Sequence, residues 1–291
     1  MGESLRDIQR KIQAVKKTKQ ITKAMNMVAS AKLRNAQLRI ERFRPYADKY
    51  YEIIADLAGR ADENVHPLLE KREEVKKIAI ILVTSDKGLC GAFNANLCNS
   101  ALKLAQSKEQ EGKDVVFVCV GKKARDFVRK TSFAILESKV DVLNHFDFQL
   151  ASELGELVID KFLGQEIDEV YTVFGKFVSI IKQEPISAQI LPVVSEGEES
   201  QEASSEYIFE PSVEGLLAEL LPRYVKVQIY RALLDTSASE HAARMTAMDN
   251  ATKNCDELVN SLTLVFNKAR QASITAELMD IVGGAEALKN A

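Results

Sequence analysis

The sequence contains no tryptophan, and in 291 residues it has only six prolines, thirteen glycines and 7% aromatic residues. Scarce helix breakers, together with abundant Ala, Leu, Glu and Lys, favour long helices. Hydrophobic residues nevertheless make up 46% of the chain, which is enough to fill a core. The composition excludes a disordered chain and predicts a helix-rich globular protein.

Cysteines are few and widely spaced. Cys90, Cys98, Cys119 and Cys255 form no C-x-x-C pair, and no histidine lies at a metal-ligand spacing from them. The pattern therefore indicates neither a zinc site nor a disulfide framework, and a reducing compartment fits it best. We expect no metal and no cofactor.

Long apolar runs are also missing. No run reaches the roughly 20 residues that a membrane-spanning helix needs. The first residues, "MGESLRDIQRKIQ", lack the apolar core of a signal peptide, and Glu3 and Asp7 argue against a transit peptide. We expect no direct membrane insertion, so that any membrane association is through partners.

The formal net charge of −3 conceals a strong asymmetry along the chain. Residues 1–45 carry twelve Lys or Arg against three Asp or Glu, whereas the remainder is acidic. Such a basic segment is typical of a solvated helix face, and it also suits an acidic partner.

Two segments have the spacing of coiled-coil helices, with core positions in alternating steps of three and four. In the first, the positions are Leu5, Ile8, Ile12 and Val15, then a polar gap at Lys19, Thr22 and Asn26, then Ala29, Leu33, Ala36, Ile40, Phe43, Ala47, Tyr50, Ile54 and Leu57. In the second, they run from Leu217 through His241 to Phe266 and Ala269. Pro45 either bends or divides the first helix. Each helix can bury the other, most simply in an antiparallel pair.

The middle of the chain has the pattern of a parallel sheet. The runs "KIAIILVTS", "DVVFVCVG" and "DEVYTVFGKF" are rich in β-branched residues and alternate with helical stretches, while "FAIL" and "ISAQILPV" are shorter or edge strands. The predicted fold class is α/β, with a long antiparallel two-helix coiled coil from the terminal segments and an inserted doubly wound α/β domain. The predicted division is residues 1–60, an N-terminal coiled-coil helix; 76–194, the α/β domain; 195–210, an acidic linker; and 211–291, a C-terminal coiled-coil helix.

The clearest candidate for chemistry is "TSDKGLCGAFN", residues 84–94, because it joins a strand to a helix where α/β folds place phosphate loops. It matches neither common glycine-rich phosphate motif, so a tight structural turn is favoured. The same holds for "VGKKARDF" at 120–127. A Ser85–Lys87 nucleophile is disfavoured by strand geometry, and His66, His145 and His241 are far apart in sequence.

The polar gap around Thr22 has two compatible interpretations: it sets the register of the helix pair, or it exposes Lys23 and Met25 to another subunit. If this gap faces the polar position at His241, facing residue numbers add to about 263, which places Leu5 opposite Leu258. The helix beyond about Leu262 would then lack a partner. This would explain why large apolar residues thin out in "FNKARQASITAEL".

Four stretches resemble the gamma subunit family of F-type ATP synthase: "IQRKIQAVKKTKQITKAMNMVASAKLRNA", "SDKGLCGAFNANL", "LDTSASEHAARMTAMDNATKNCDEL" and "FNKARQASITAELMDIVGGAEAL". The resemblance covers essentially the whole chain in the same order. It implies a non-catalytic rotor shaft that couples proton or sodium ion flow to ATP synthesis or hydrolysis. The implied partners are the alpha and beta subunits of the catalytic ring, the epsilon subunit and the ring of c subunits.

The resemblance also implies contact residues. Lys23, Met25, Glu240 and Arg244 match positions facing an acidic loop of beta, Arg270, Gln271, Thr275 and Glu277 match positions facing a catch loop of beta, and Tyr207 matches the foot near epsilon and the c ring. The regulatory cysteine pair of chloroplast members has no counterpart near 195–206. A peripheral protein on the cytoplasmic side of a bacterial inner membrane is therefore expected.

Two other functions stay open from the residues alone. An α/β enzyme with coiled-coil arms would need a nucleotide pocket at the carboxyl ends of the strands. A nucleic-acid binder would use the basic N-terminal helix, although no aromatic residues are interleaved with its cations.

Overall fold

A computed structural model describes residues 4–60, 66–72, 74–193 and 213–289. The chain forms two compact units. The smaller comprises residues 1–28 and 245–291, and the larger comprises residues 29–244. The predicted acidic linker, 195–210, and Tyr207 lie outside the described residues.

Two long helices begin and end the described chain: α1, Leu5–Arg60, and α5, Val213–Lys289. Pro45 lies inside α1 on its exposed side, so the proline does not divide the helix. A second proline, Pro222, lies inside α5, which begins nine residues before it. Burial of the apolar faces of both helices outweighs the hydrogen bond that each proline removes.

Between these helices, the residues that the structure describes form five strands and three helices. They are β1, Lys77–Val83; α2, Phe93–Gln110; β2, Asp114–Val120; α3, Lys122–Val128; β3, Ala134–Lys139; α4, Phe148–Leu163; β4, Glu169–Phe177; and β5, Gln183–Leu191. The strands form one sheet in the order β3-β2-β1-β4-β5. Neighbouring strands are parallel except β4 and β5. The predicted fold class is confirmed.

The sheet is buried on both faces because its central strands are apolar along their whole length. On β1, alternate residues such as Ile80 and Leu82 face a core with Leu97 and Ala101 of α2. The residues between them, such as Ile81, face a second core that includes α4 and parts of α1 and α5. This arrangement explains why the strand sequences lack the alternation of a half-exposed sheet.

Within the larger unit, α1 and α5 pack antiparallel through aromatic side chains. The rings of Phe43 and Tyr230 lie 4.9 Å apart edge to face, and those of Tyr51 and Tyr224 lie 5.4 Å apart. Arg39 Nη2 also donates to Tyr230 Oη at 3.2 Å. Such edge-to-face pairs add stabilisation beyond the area that they bury.

Within the smaller unit, the two helix segments also run antiparallel. Thr22 Oγ1 lies 2.8 Å from Thr252 Oγ1, and Asn26 Nδ2 donates to the Met245 carbonyl oxygen at 2.8 Å. One turn earlier on α1, Lys19 forms an ion pair with Asp256. The polar gap of α1 is therefore filled by polar groups of α5.

This register corrects the predicted one. Thr22 faces Thr252 rather than His241, so facing residue numbers add to about 274 instead of 263. The difference is about three helical turns. The seam on α5 accordingly stays half-buried through Phe266 and Ala269 to Ser273, and the helix is exposed from Ile274 onward in the part with described side chains. The predicted loss of a partner beyond Leu262 was wrong, because two hydroxyl groups pair with each other and shift the match.

A half-buried arginine, Arg72, anchors the segment before the sheet. Arg72 forms an ion pair with Asp168, which also accepts the backbone N–H groups of Lys76 and Lys77 at 2.7 and 2.8 Å. The same guanidinium donates to the carbonyl oxygens of Phe162 and Ile167, at and beyond the end of α4. Arg72 thus links the segment before β1 to the end of α4 and to the residues before β4.

Candidate partner-binding surfaces

The exposed end of α5 is the first candidate surface. Arg270, Gln271, Thr275 and Glu277 are all exposed there. Two of them make bonds within the helix: Thr275 Oγ1 donates to the Gln271 carbonyl oxygen at 2.9 Å, and Glu277 Oε1 accepts from Ser273 Oγ at 3.3 Å. The polar groups therefore lie along one accessible stretch of about two turns.

Large apolar side chains surround these polar groups. Seven of them are exposed on the last part of α5: Leu264, Val265, Ile274, Leu278, Met279, Ile281 and Val282. Many exposed large apolar side chains within one short part of a helix are typical of a protein-interaction site. The exposed end of α5 is thus suited to a partner surface that is mostly apolar and makes a few polar contacts.

The second candidate surface lies on α1 in the smaller unit. Lys23 is exposed and Met25 is half-buried, as expected for residues beside the seam. The surface also contains residues that the sequence interpretation did not select as contacts: Ile21 and Met27 are both 60% exposed, and Val28 is 58% exposed. This part of α1 offers apolar contacts as well as the lysine charge.

The remaining predicted contact residues with described positions, Glu240 and Arg244, lie in the larger unit and are not exposed. Glu240 and Arg244 form an ion pair at 2.6 Å, and their side chains are only 8% and 12% exposed. Burial raises the pKa of the Glu240 carboxyl, while the guanidinium of Arg244 opposes that rise. In the chain alone, both side chains are engaged internally.

Arg244 reaches the turn that follows β1. Its Nη2 donates to the carbonyl oxygens of Gly88 at 3.2 Å and Lys87 at 3.4 Å. Residues 84–94 therefore present carbonyl oxygens to a cation of α5 at this point, the opposite of a phosphate cradle.

Asp86 holds neighbouring backbone segments against this turn. Its carboxylate accepts the backbone N–H groups of Lys122 at 2.9 Å, Asp141 at 2.8 Å and Leu143 at 3.4 Å. The N–H of Ala124 is likewise taken by Thr84 Oγ1 at 2.7 Å. Donors at the start of α3 that could hold an anion are thus occupied by side chains of the chain itself, which supports the structural interpretation of both glycine-containing turns.

Two of the three histidines, His241 and His66, take part in the internal structure, whereas His145 is exposed. His241 is buried, and its Nδ1 has no hydrogen-bond partner among the described residues. Burial, with the nearby charges of Arg244 and Lys32, lowers its pKa to about 4. His66 Nδ1 accepts from the Leu68 N–H at 3.1 Å, which shapes the turn before the sheet.

The described residues include neither a candidate metal site nor a candidate membrane-spanning helix. Across residues 4–60, 66–72, 74–193 and 213–289, no group of three or more His, Cys, Asp or Glu side chains is placed to hold a metal ion. Over those same ranges, none of the helices has both the length and the apolar character that crossing a bilayer requires.

Comparison with known proteins identifies the family. A family model described as ATP synthase matches residues 4–288. The ATP synthase gamma chain of Maridesulfovibrio salexigens is 64% identical over 289 residues, covering 98% of this chain and 99% of the relative. That of Nitratidesulfovibrio vulgaris is 65% identical over 288 residues with the same coverage. The chain belongs to the ATP synthase gamma-chain family.

Solved structures agree with this assignment. A chain of the central stalk and c-ring structure of the Tetrahymena thermophila mitochondrial ATP synthase matches with a TM-score of 0.60 and 26% identity, covering 79% of this chain and 99% of that one. A chain of the Euglena gracilis mitochondrial enzyme has the same fold, with a TM-score of 0.67, 22% identity and coverage of 98% and 94%.

Membership in the gamma-chain family establishes the general role. The chain is a non-catalytic subunit of the central stalk of an F-type ATP synthase, and its role as rotor follows from the family. It belongs to a complex that is attached to a membrane. Catalysis resides in the alpha and beta subunits.

Several residues that organise this gamma chain were missed in the sequence. Thr252 and Asp256 were not recognised as partners of Thr22 and Lys19, because a threonine or aspartate on a helix is ordinarily solvated. Asp86 was considered only as part of a nucleophile, although an acidic residue directly after a buried strand commonly accepts backbone N–H groups.

Proposed function

We propose that the chain is the shaft that turns within a ring of alpha and beta subunits and couples proton or sodium ion flow through a ring of c subunits to ATP synthesis or hydrolysis. The epsilon subunit is the proposed further partner. Near-complete coverage at 64% identity to a gamma chain is the observation that carries this proposal. The proposed location is the cytoplasmic side of a bacterial inner membrane, as suits the bacterial relatives.

The predicted division of the chain fits this role. Residues 1–60 and 211–291 would form the shaft, residues 76–194 would form the α/β domain near epsilon and the c ring, and the acidic linker 195–210 would join them. Tyr207, within that linker, is proposed to face the foot contacts.

The exposed end of α5 is proposed to contact a catch loop of beta through Arg270, Gln271, Thr275 and Glu277. Their exposure supports this assignment, and so does the apolar surface around them. A rotating shaft needs contacts that form and break in each turn. A small contact made by a few polar groups and exposed apolar side chains satisfies that need better than one large buried interface.

Lys23 and Met25 are proposed to contact an acidic loop of beta. The basic charge of residues 1–45 supports an acidic partner, because complementary charge speeds association and excludes wrong partners. The other two residues predicted for this contact, Glu240 and Arg244, are left out of the proposal, because they pair with each other and their side chains are only 8% and 12% exposed.

Co-expression with alpha and beta subunits of a close relative tests the proposal. We expect the chain to co-purify with them and to raise their ATPase activity above that of the subunits alone. Co-purification without any change in ATPase activity, or absence of assembly, would contradict it. Tight nucleotide binding by the isolated chain would instead favour the enzyme alternative, and retention of DNA or RNA at moderate salt would favour the nucleic-acid alternative.

A further inference from the structure

One face of α5 is bonded to the sheet by polar groups, over residues 236–244 of the larger unit. Near the end of β4, Thr236 Oγ1 accepts the Gly175 N–H at 3.3 Å, and Ser239 Oγ donates to the Gly175 carbonyl oxygen at 2.9 Å. Two turns further along α5, Arg244 Nη2 donates to Gly88, in the turn after β1. We call this set of contacts the α5–sheet joint.

The position of the joint in the sheet is specific. The pairing of β4 with β1 ends at Val173, and at Gly175 two hydroxyl groups of α5 take both backbone groups. A side chain at Gly175 would meet the ring of Phe93 at 2.6 Å and Ser239 Cβ at 3.4 Å. The glycine therefore leaves room for the Phe93 ring beside the joint, whereas a Cβ would be in ordinary contact with Ser239 of α5.

The turn held by Arg244 needs support. Leu89 has a φ of 63° and is 65% exposed. A non-glycine residue in this conformation is strained, so the surrounding contacts must hold it. Within the turn, Ser85 Oγ donates to the Lys87 carbonyl oxygen at 2.6 Å and the Ser85 N–H donates to Asn94 Oδ1 at 3.0 Å. Arg244 adds a contact from a different helix.

Glu240 sets the direction of the arginine. The Glu240 carboxylate takes one donor direction of Nη2 at 2.6 Å, which leaves the other for the carbonyl oxygens of the turn. A hydrogen bond with a charged donor is roughly twice as strong as a neutral one, and it fixes an angle as well as a distance. The pair therefore orients a bond rather than merely neutralising two buried charges.

We propose that the α5–sheet joint passes torque between α5 and the α/β domain, and that Glu240 and Arg244 are positioning residues of this joint rather than direct contacts to beta. Apolar contacts alone are non-directional and let a helix slide or turn on a sheet. Directional hydrogen bonds to the backbone of two neighbouring strand ends resist that motion. This inference rests on the proposed rotor function.

Hydrogen exchange on the full chain tests the joint itself, independently of the partners. Arg244→Met and Ser239→Ala, singly and together, keep the volume of each side chain nearly unchanged. A third variant, Thr236→Val, removes the acceptor of the Gly175 N–H, so we expect that amide to exchange roughly 10- to 100-fold faster. Arg244→Met removes the cation that holds the turn after β1, so we expect faster exchange of the Ser85 amide, which donates to Asn94 within that turn. Unchanged exchange at both amides would overturn the joint.

Two further variants separate the possible roles of Arg244. In Glu240→Arg/Arg244→Glu the ion pair is kept, but the donor to Gly88 is lost, so we expect Ser85 to exchange as fast as in Arg244→Met. Restoration of slow exchange would mean that the ion pair alone is what matters. Lys253→Ala, which breaks an exposed i,i+4 pair with Asp249 on the same helix, is the matched control and should leave both amides unchanged.

The role in torque is tested in the assembled complex with its membrane sector, by measuring ATP-driven ion pumping and ATP hydrolysis on the same preparation. We expect Arg244→Met/Ser239→Ala to lower pumping per ATP hydrolysed, whereas the Lys253→Ala complex matches the wild type. Faster exchange with an unchanged pumping ratio would overturn the torque role. If the wild-type chain neither assembled nor pumped, the proposed rotor function would fail, while the exchange result would stand. Should the double variant not fold, the single Arg244→Lys and Ser239→Ala variants give the same comparison.

Discussion

Thr22 and Thr252 face each other across the helix pair of the smaller unit, with their hydroxyl oxygens 2.8 Å apart. Each hydroxyl also lies near a carbonyl oxygen of its own helix, Thr22 at 3.0 Å from that of Lys19 and Thr252 at 2.7 Å from that of Met248. One hydroxyl can therefore donate to the other while the second donates to its own carbonyl oxygen, so both protons have an acceptor, as buried polar groups in a seam require. This contact fixes which turn of α5 lies beside which turn of α1.

Cysteine cross-linking tests this register. We expect Thr22→Cys/Thr252→Cys, made in a Cys255→Ser background, to form an intramolecular disulfide under mild oxidation, because facing seam positions have the spacing that a disulfide needs. The band shift on non-reducing gels measures it. An Ile8→Cys variant that keeps Cys255 is the control. A register in which facing numbers add to 263 would cross-link that control, whereas the observed one leaves it unlinked.

The buried histidine predicts a pH dependence of stability. The pKa of His241 is lowered to about 4, so between that value and 6.5 the unfolded chain binds the proton and the folded chain does not. The stabilising contribution is complete above pH 6.5 and is lost as pH falls towards 4, with a maximum of roughly 3 kcal/mol. His241→Leu should therefore lose less stability than the wild type between pH 7 and 4.5. Melting temperatures measured across that range check it, and parallel curves for the two proteins would contradict it.

The anchor at Arg72 predicts a large effect on stability. Removing it takes the cation from Asp168 and one donor each from the carbonyl oxygens of Phe162 and Ile167. The paired side chains are only 20% and 12% exposed, so we expect the free energy of unfolding to fall by about 1–3 kcal/mol. We expect Arg72→Ala to lower the melting temperature by far more than Lys182→Ala, which removes an exposed ion pair with Glu184. Equal shifts in melting temperature for the two variants would mean that the Arg72–Asp168 pair contributes little to stability.

The exposed end of α5 predicts loss of coupling without loss of fold. Arg270→Ala/Gln271→Ala changes two exposed side chains. The free energy of unfolding of the chain should therefore stay within about 0.5 kcal/mol of the wild-type value, with little change in the melting temperature. Assembly with alpha and beta subunits, or ATPase activity of the assembled complex, should fall. A matched change elsewhere on exposed helix, Lys103→Ala, should affect neither. Loss of the fold in the α5 variant would show that these residues are structural.

Much of the fold could be predicted because it depends on local patterns. The three-four spacing of residues such as Leu33 and Ala36 predicted the long helices, and the β-branched run at Ile78 to Val83 predicted a strand buried on both faces. These patterns arise from burial of a single face or of both faces, which the sequence records directly.

The register and the joint could not be predicted in the same way. The sequence alone allows any polar position of one seam to face any polar position of the other. Packing along the full length of the two helices decides that Thr252 faces Thr22. Likewise, Glu240 and Arg244 form an i,i+4 pair, which in a sequence is typical of an exposed helix face. Their burial depends on where α5 crosses the carboxyl ends of β1 and β4, which is a property of the tertiary fold.

Single-molecule observation of rotation tests the central claim most directly. In a Cys255→Ser background, Lys103→Cys on the exposed side of α2 carries a biotin and a bead, while the alpha and beta subunits of the complex are fixed to a surface. On addition of ATP, we predict sustained stepwise rotation of the bead in one direction. A bead that stays stationary while the same complexes hydrolyse ATP would contradict the account of this chain as the rotor.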